Sequence, residues 1–438
     1  MALGSDRRGL GGRRGCKARP ALRIAGVVVG VALVAVACSG TSSSDDVASD
    51  EPSGGAADDQ PEADATDSIV PDAPFEGDDF YAVPDPLPEG EPGTLLRFEP
   101  IESTEVTGAD LWRIMYLSES IQGEPIAVTG TALVPSTPPP DDGRPIVSGA
   151  PGTRGVADEC AASRDPDQGV SSLMQPFVDE GYLVVLTDYE GLGTPGRHPY
   201  LVGESEGRSV LDAAKAARDL PDAAAGDELA ILGYSQGGHA ALWAGQLAAD
   251  WAPEFELVGV VAGAPASELP TIFGAAGAVP QLAGFLYLAF AGYNAAYPEA
   301  DLSLVLTPEG EEQVGVVDQG CVRGVLEHFA SVDAGELLQP DLGSVEPWAS
   351  LAAENDPGQV RTDAPILILH SAADNVVPIG FSEQLQERMC GLGQQVERRV
   401  YEEGQDHIEA APDAIADGFE WIQQQRAGEQ PVSTCPTP

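Results

Sequence analysis

Basic residues are scarce. The 438-residue chain has 22 Lys and Arg against 70 Asp and Glu, a formal charge of −48. Seven of the basic residues fall before residue 38, leaving 15 against 69 acids, and Lys215 is the only lysine beyond that point. A chain so poor in cations cannot build the basic face that neutralises phosphates, which excludes nucleic acid as a partner and disfavours an anionic membrane surface. The one-sided charge fits a compositional habit of the source genome or adaptation to a salty medium. No uninterrupted apolar run approaches the ~20 residues of a transmembrane helix. None of the six cysteines forms a CxxC pair, so a zinc pattern is lacking, and the chemistry read from the residues below needs no metal or organic cofactor. No repeat of 20–50 residues recurs, which removes a solenoid.

At the N-terminus, Arg7, Arg8, Arg13, Arg14, Lys17, Arg19 and Arg23 lead into Ile24–Ala37, fourteen residues without a polar side chain. Positive charge followed by a short apolar stretch has the layout of an export signal over residues 1–37. The run Ala35-Val36-Ala37-Cys38 resembles the lipobox of bacterial lipoproteins, although Ala35 stands where that motif usually has Leu. The resemblance implies lipidation of Cys38 and a membrane contact through that anchor, with plain signal cleavage as the alternative. Residues 38–79 are rich in Ser, Gly, Ala, Pro, Asp and Glu, and hold no basic residue. Such a segment cannot repay the entropy of ordering and is expected to be a disordered tether. Cys160, Cys321, Cys390 and Cys435 remain, and an even number in an exported chain reads as two disulfides. Three pairings are possible; 160 with 321 and 390 with 435 is the preferred one.

From about Thr94 β-rich runs begin at Leu95–Ile101, Leu111–Leu117, Ile126–Val134 and Ile146–Ser148. Apolar strands then alternate with helical stretches: Tyr182–Leu186, Val210–Leu220 (helical), Leu229–Leu232, Ala240–Ala249 (helical), Leu257–Ala262, Ile366–Leu369, Val396–Tyr401 and a last helix near Ala414–Gln423. Continuous apolar strands separated by helices predict an α/β fold, a mostly parallel sheet covered on both faces. One long interruption, residues 266–361, shows helix-like stretches and no clear strand, and is expected to form a cap between two core segments, 80–265 and 362–438. Ile272–Pro298 carries no charge, which fits a buried cap helix, a lining for a long apolar substrate, or both.

Gly233-Tyr234-Ser235-Gln236-Gly237 follows the strand Leu229–Leu232 and precedes a helix. In that setting GxSxG is a nucleophile elbow: the sharp strand-to-helix turn leaves no room for side chains two residues to either side of the serine. Gly203-Glu204-Ser205-Glu206-Gly207 matches the same pattern, but two carboxylates flank Ser205, no apolar strand leads in and a helix follows, so Ser205 is read as a helix N-cap. A serine nucleophile needs a base, and the base an orienting acid, in the order Ser, Asp or Glu, His. Asp374 follows the buried strand Ile366–Leu369, and His407 follows Val396–Tyr401, which puts both at the strand edge of Ser235. Asp406 is set aside because an adjacent residue is poorly placed to hold the His407 ring. His198, His239, His328 and His370 are read as structural. The oxyanion donors are expected to be the backbone N–H of Gln236 and a group in the Ser148–Gly155 loop, Thr153 being favoured.

These residues resemble the secretory lipase family. The resemblance rests on Thr94–Arg97, Gly152-Thr153 with Cys160, Thr187–Gly196 with His198-Pro199-Tyr200, Gly203–Arg208, Gly233–Gly238 and the loops bearing Asp374 and His407, and covers about Asp79 to Cys435. It implies an α/β-hydrolase fold with a helical cap, a Ser235-Asp374-His407 triad and carboxylic ester substrates including acylglycerols. It also supports the preferred disulfide pairing. The chain departs from the family pattern over Arg154–Cys160, beside the second oxyanion donor. Two rival functions are an acyltransferase using the same triad on envelope lipids or glycans, and an inactive lipid-binding surface protein.

Overall fold

The computed structural model describes residues 69–436 except 166, 168, 169, 276–281 and 341. The expected export signal, Cys38 and the tether up to residue 68 lie outside the described residues. By Phe75 the chain is packed on the sheet: its N–H donates to the Phe98 carbonyl, and the Arg97 guanidinium sits 4.5 Å from its ring centre.

Nine strands form one sheet in the order β1-β2-β3-β5-β4-β6-β7-β8-β9. They are β1 (Leu95–Ile101), β2 (Ala109–Glu119), β3 (Pro125–Pro135), β4 (Arg144–Ala150), β5 (Leu183–Thr187), β6 (Ala225–Tyr234), β7 (Glu256–Gly263), β8 (Ile366–Ser371) and β9 (Val396–Tyr401). From β5 across to β9 all neighbours are parallel, while β1, β2 and β3 form an antiparallel extension joined to β5. This is an α/β-hydrolase fold. β4, β5 and β8 are buried at every position, as uninterrupted apolar strands must be when both faces are covered. One face packs on the helices Gly203–Ala217, Gln236–Trp251 and Ile379–Gly391. The other packs on Phe177, Val178 and the apolar side of the helix Ala411–Arg426, through Ile415, Trp421 and Ile422.

The register sets where the chemistry can sit. Ala150 of β4 pairs with Gly233, Tyr234 with Gly263, and Gly263 with Leu369, so the parallel strands end level. The loops leaving these ends, and the end of β9, therefore share one edge, the place where open parallel sheets hold their ligands.

Between β7 and β8 the described residues include the helices Leu269–Gly274, Ala283–Ala296, Val322–Phe329 and Trp348–Glu354, and one isolated bridge, Leu306 with Leu338. This segment has an apolar core of its own, in which Tyr287 stacks on Phe329 with ring centres 4.1 Å apart. Gly292 lets its helix meet the core: a Cβ there would lie 2.4 Å from the Tyr200 nitrogen. Cys160 is bonded to Cys321 and Cys390 to Cys435. The first bond ties the loop after β4 to the inserted segment, and the second ties the C-terminal tail to the helix Ile379–Gly391.

Candidate active site

Ser235 is the junction residue between β6 and the helix Gln236–Trp251, at φ 61°, ψ −120°. A non-glycine residue stays in that strained region only where its surroundings hold it. Here the Ser235 N–H donates to the Gly263 carbonyl at 2.9 Å, and its own carbonyl accepts from His239 N–H at 3.1 Å. The flanking glycines are required by contact. A Cβ on Gly233 would lie 2.0 Å from the Gly237 carbonyl oxygen, and one on Gly237 would lie 1.9 Å from that of Ala150.

Asp374 leaves the turn after β8 and His407 the loop after β9. His407 Nδ1 donates to Asp374 Oδ2 at 2.6 Å, and Ser235 Oγ donates to His407 Nε2 at 2.9 Å. Asp374 Oδ1 accepts the backbone N–H groups of Val376 and Val377 at 2.9 and 2.8 Å. Burial works against its charge, but the donors around it, His370 and His407 foremost, outweigh that and hold its carboxyl well below the usual carboxylate range. The edge of the His407 loop is fixed by the Tyr234 hydroxyl, which donates to the His407 carbonyl at 2.7 Å. Three side chains distant in sequence are thus brought into one hydrogen-bonded chain.

Gln236, first residue of the elbow helix, sits where an unsatisfied helix N–H points outward. The Gly152–Thr153 turn lies against the elbow, since a Cβ on Gly152 would be 3.3 Å from the Tyr234 carbonyl oxygen. The Thr153 hydroxyl is hydrogen-bonded to the Tyr200 hydroxyl at 2.8 Å. In front of Ser235 lies an apolar cleft walled by Phe273, Phe285, Leu286 and Ala289 of the inserted segment and by Val376 and Val377. A more polar cleft lined by Asp158, Glu159, Arg164, Arg197 and Asp318 contains none of these groups. Among the described residues no cluster of His, Cys, Asp or Glu could hold a metal ion, and no helix is long and apolar enough to cross a membrane.

One expectation is corrected. Ser205 is not a helix N-cap: its helix starts at Gly203 with Val202 as cap residue, and the Ser205 hydroxyl donates to Glu190 Oε2 at 2.5 Å inside the protein. Asp406, set aside from the sequence, accepts the N–H groups of Ile408 and Glu409 at 3.0 Å each. His328 lies beside Gln313, away from Ser235. His370, read as structural, holds its Nε2 3.0 Å from the Val377 carbonyl oxygen and 3.3 Å from Asp374 Oδ2, the oxygen that also takes His407. The signal available in the sequence was the four-residue spacing of His370 and Asp374. Behind Gln236 the structure also places Glu206, His239, His198 and Asn355 in one buried polar group; Glu206 and His198 stand in quoted motif stretches, but nothing in the sequence pattern joins the four.

The fold and its serine-bearing elbow define the class as α/β-hydrolase. The chain belongs to the secretory lipase family, whose model matches residues 168–434. It is similar to the secreted triacylglycerol lipase LIP4 of Malassezia globosa, 26% identical over 386 residues and covering 82% of each chain. It is also similar to a probable inactive lipase of Mycobacterium tuberculosis, 24% identical over 380 residues, covering 80% of this chain and 82% of the relative. In fold it is similar to lipase A of Candida antarctica in its closed state, with a TM-score of 0.69 at 22% identity, covering 82% of this chain and 88% of that one.

Proposed function

We propose that the protein hydrolyses carboxylic esters of acylglycerol type through an acyl-enzyme on Ser235. The observation that carries this reading is the continuous chain Asp374 Oδ2, His407 Nδ1, His407 Nε2, Ser235 Oγ, with links of 2.6 and 2.9 Å. As Ser235 Oγ attacks the ester carbonyl, His407 Nε2 takes the hydroxyl proton. Asp374 stabilises the imidazolium and keeps the ring in the tautomer that presents a lone pair to the serine. The developing oxyanion takes hydrogen bonds from the Gln236 N–H and from the Thr153 turn. The alcohol leaves with the proton from His407, and a water activated by the same imidazole then splits the acyl-enzyme. The apolar cleft beside Ser235 suits the hydrocarbon part of the acyl group. Membership of the secretory lipase family, and similarity to a secreted triacylglycerol lipase, favour lipid esters over peptides.

The test is hydrolysis of p-nitrophenyl esters from short to long acyl chains, with Ser235→Ala as control. Turnover that disappears in Ser235→Ala is expected. Turnover that survives it contradicts the reading, and diversion of the acyl group to an added alcohol in preference to water makes the protein an acyltransferase. The second reading, a silent lipid-binding surface protein, draws on the similarity to a probable inactive lipase; it predicts ester binding without turnover. Lipidation of Cys38 is proposed from the lipobox-like run alone. A mass gain of a diacylglyceryl group on a peptide that begins at Cys38 tests it, and a mature chain lacking that cysteine refutes it.

A further inference from the structure

The first turn of the elbow helix is buckled to the helix Gly203–Ala217 by one carboxylate. Glu206 is fully buried. Its Oε1 accepts the Leu201 N–H at 3.0 Å and the Gln236 Nε2–H at 2.7 Å, while Oε2 lies 2.7 Å from His239 Nδ1. The other ring nitrogen, His239 Nε2, lies 2.9 Å from the backbone carbonyl oxygen of Asn355. A carbonyl oxygen can only accept, and so can a carboxylate. With Glu206 ionised, which the two N–H donors on Oε1 favour, His239 needs a proton on both nitrogens. His198 shows the contrast. Its Nδ1 faces the Glu190 carbonyl at 2.9 Å, so Nδ1 is the donor, and its Nε2 accepts the second proton of the Gln236 amide at 2.8 Å, which a neutral ring satisfies. Burial pushes the His198 pKa down, in agreement.

Among the described residues the ion-pair contacts of Glu206 are with His239 and, at 4.0 Å, with His198, and none is with a lysine or arginine. Tyr189, Tyr200 and Tyr293 face Glu206 and are held neutral by burial. Glu190 is bonded to Ser205, and Arg208 turns to Glu204 and the carbonyls of Glu119 and Ser120.

We infer that Glu206 and His239 form a buried carboxylate–imidazolium pair that positions Gln236, the residue whose backbone N–H meets the oxyanion in the proposed reaction. The amide of Gln236 is clamped between Glu206 and His198, and His239 is held one turn further along the same helix, so the first turn can neither rotate nor slide. Asn355 extends the clamp. Its Oδ1 accepts the Gly203 N–H at 2.9 Å and its Nδ2 donates to the Tyr297 hydroxyl at 2.9 Å, which couples the base of the inserted segment to the elbow. Glu206 and His239 are positioning residues, because neither reaches the reacting atoms.

The kinetic consequence rests on the Ser235 reaction; the charge state does not, which separates the two failures. The first measurement is nitrogen-15 NMR of the full chain labelled in histidine at pH 7.5, where a free imidazole with a pKa of about 6.5 is neutral. Residue 239, assigned with His239→Gln, is expected to show both ring nitrogens protonated. A ring with one bare nitrogen overturns the inference whatever the enzyme does. The second is Glu206→Ala, which removes the acceptor of the Gln236 Nε2–H and the partner of His239, with Glu206→Gln, whose oxygen and NH2 can keep those bonds to a neutral His239, expected to restore most of the rate. The kcat of Glu206→Ala is expected to fall on the order of 10- to 100-fold, short of the ~10²–10³ cost of deleting an oxyanion donor, with KM unchanged. Affinity for an alkyl trifluoromethyl ketone should fall by the same factor. A change confined to KM, or to melting temperature, overturns the positioning role. If wild type itself turns over no ester, the Ser235 reading fails while the NMR result on the pair still stands.

Discussion

The most searching perturbation of the site is Asp374→Asn. In the native chain Oδ1 is occupied by two backbone N–H donors at 2.9 and 2.8 Å, and Oδ2 receives His407 Nδ1–H at 2.6 Å. An asparagine keeps the first pair of bonds with its own oxygen, which turns its NH2 toward His407. A donor facing Nδ1 makes Nδ1 the acceptor and moves the ring proton to Nε2, the nitrogen 2.9 Å from Ser235 Oγ. The serine then meets an N–H in place of a lone pair, so the geometry survives and the base is lost. For serine triads in general the wrong tautomer lowers kcat by about 10⁴, or about 5.5 kcal/mol of barrier at 1.36 kcal/mol per tenfold. Steady-state hydrolysis of a p-nitrophenyl ester measures this, with Asp406→Asn as a neighbouring control expected to stay within about threefold of wild type, as most surface substitutions do. A loss smaller than tenfold in Asp374→Asn would refute the assignment of Asp374 as the acid that orients His407.

Other perturbations test the scaffold around it. Gly237→Ala puts a methyl 1.9 Å from the Ala150 carbonyl oxygen, and overpacking against backbone should cost about 3 kcal/mol or more; an unchanged urea midpoint would contradict the elbow packing. Cys390→Ser with Cys435→Ser opens a loop of sequence separation 45, and Cys160→Ser with Cys321→Ser one of 161, so chain entropy allows losses of at most about 4 and about 5 kcal/mol, to be read by denaturant titration. Burial raises the pKa of Asp188, Glu190, Asp212 and Asp356. The folded chain therefore holds those protons more tightly than the unfolded chain, and melting temperature should rise as pH falls from neutral toward about 4. Asp374 has the opposite sign: its lowered pKa adds stability above about 3.9 that is lost on further acidification. A melting temperature that fell steadily from pH 7 to 4 would contradict this balance.

β4, β5 and β8 were legible because they are covered on both faces and their apolar runs are nearly unbroken, while the antiparallel β1–β3 and the edge strand β9, which carries Glu397, Arg398 and Arg399, also appear where the sequence reading puts them. Helix starts were harder. The helix Gly203–Ala217 begins seven residues before the apolar spacing at Val210, because its first turns bury polar side chains, Ser205 and Glu206, against Glu190, Gln236 and His239. A periodicity reading treats such residues as exposed. Ser235, Asp374 and His407 stood out because GxSxG and two loop positions after core strands follow the connectivity of the sheet. His239 and Asn355 carry no local signature, and the motif around Glu206 does not point to them, since their contacts join residues 33 and 116 positions apart. The uncharged stretch Ile272–Pro298 includes the buried helix Ala283–Ala296. Tyr287, Phe290 and Tyr293 fill the core of the inserted segment, whereas Phe285, Leu286 and Ala289 wall the cleft at Ser235.

The central claim is that Ser235 is the nucleophile. Peptide mapping by mass spectrometry after reaction with an alkyl fluorophosphonate tests it most directly. One phosphonyl group on the peptide containing Ser235, lost in Ser235→Ala and strongly slowed in His407→Ala, is the expected result; adduct on another serine with Ser235 unmodified would contradict the account.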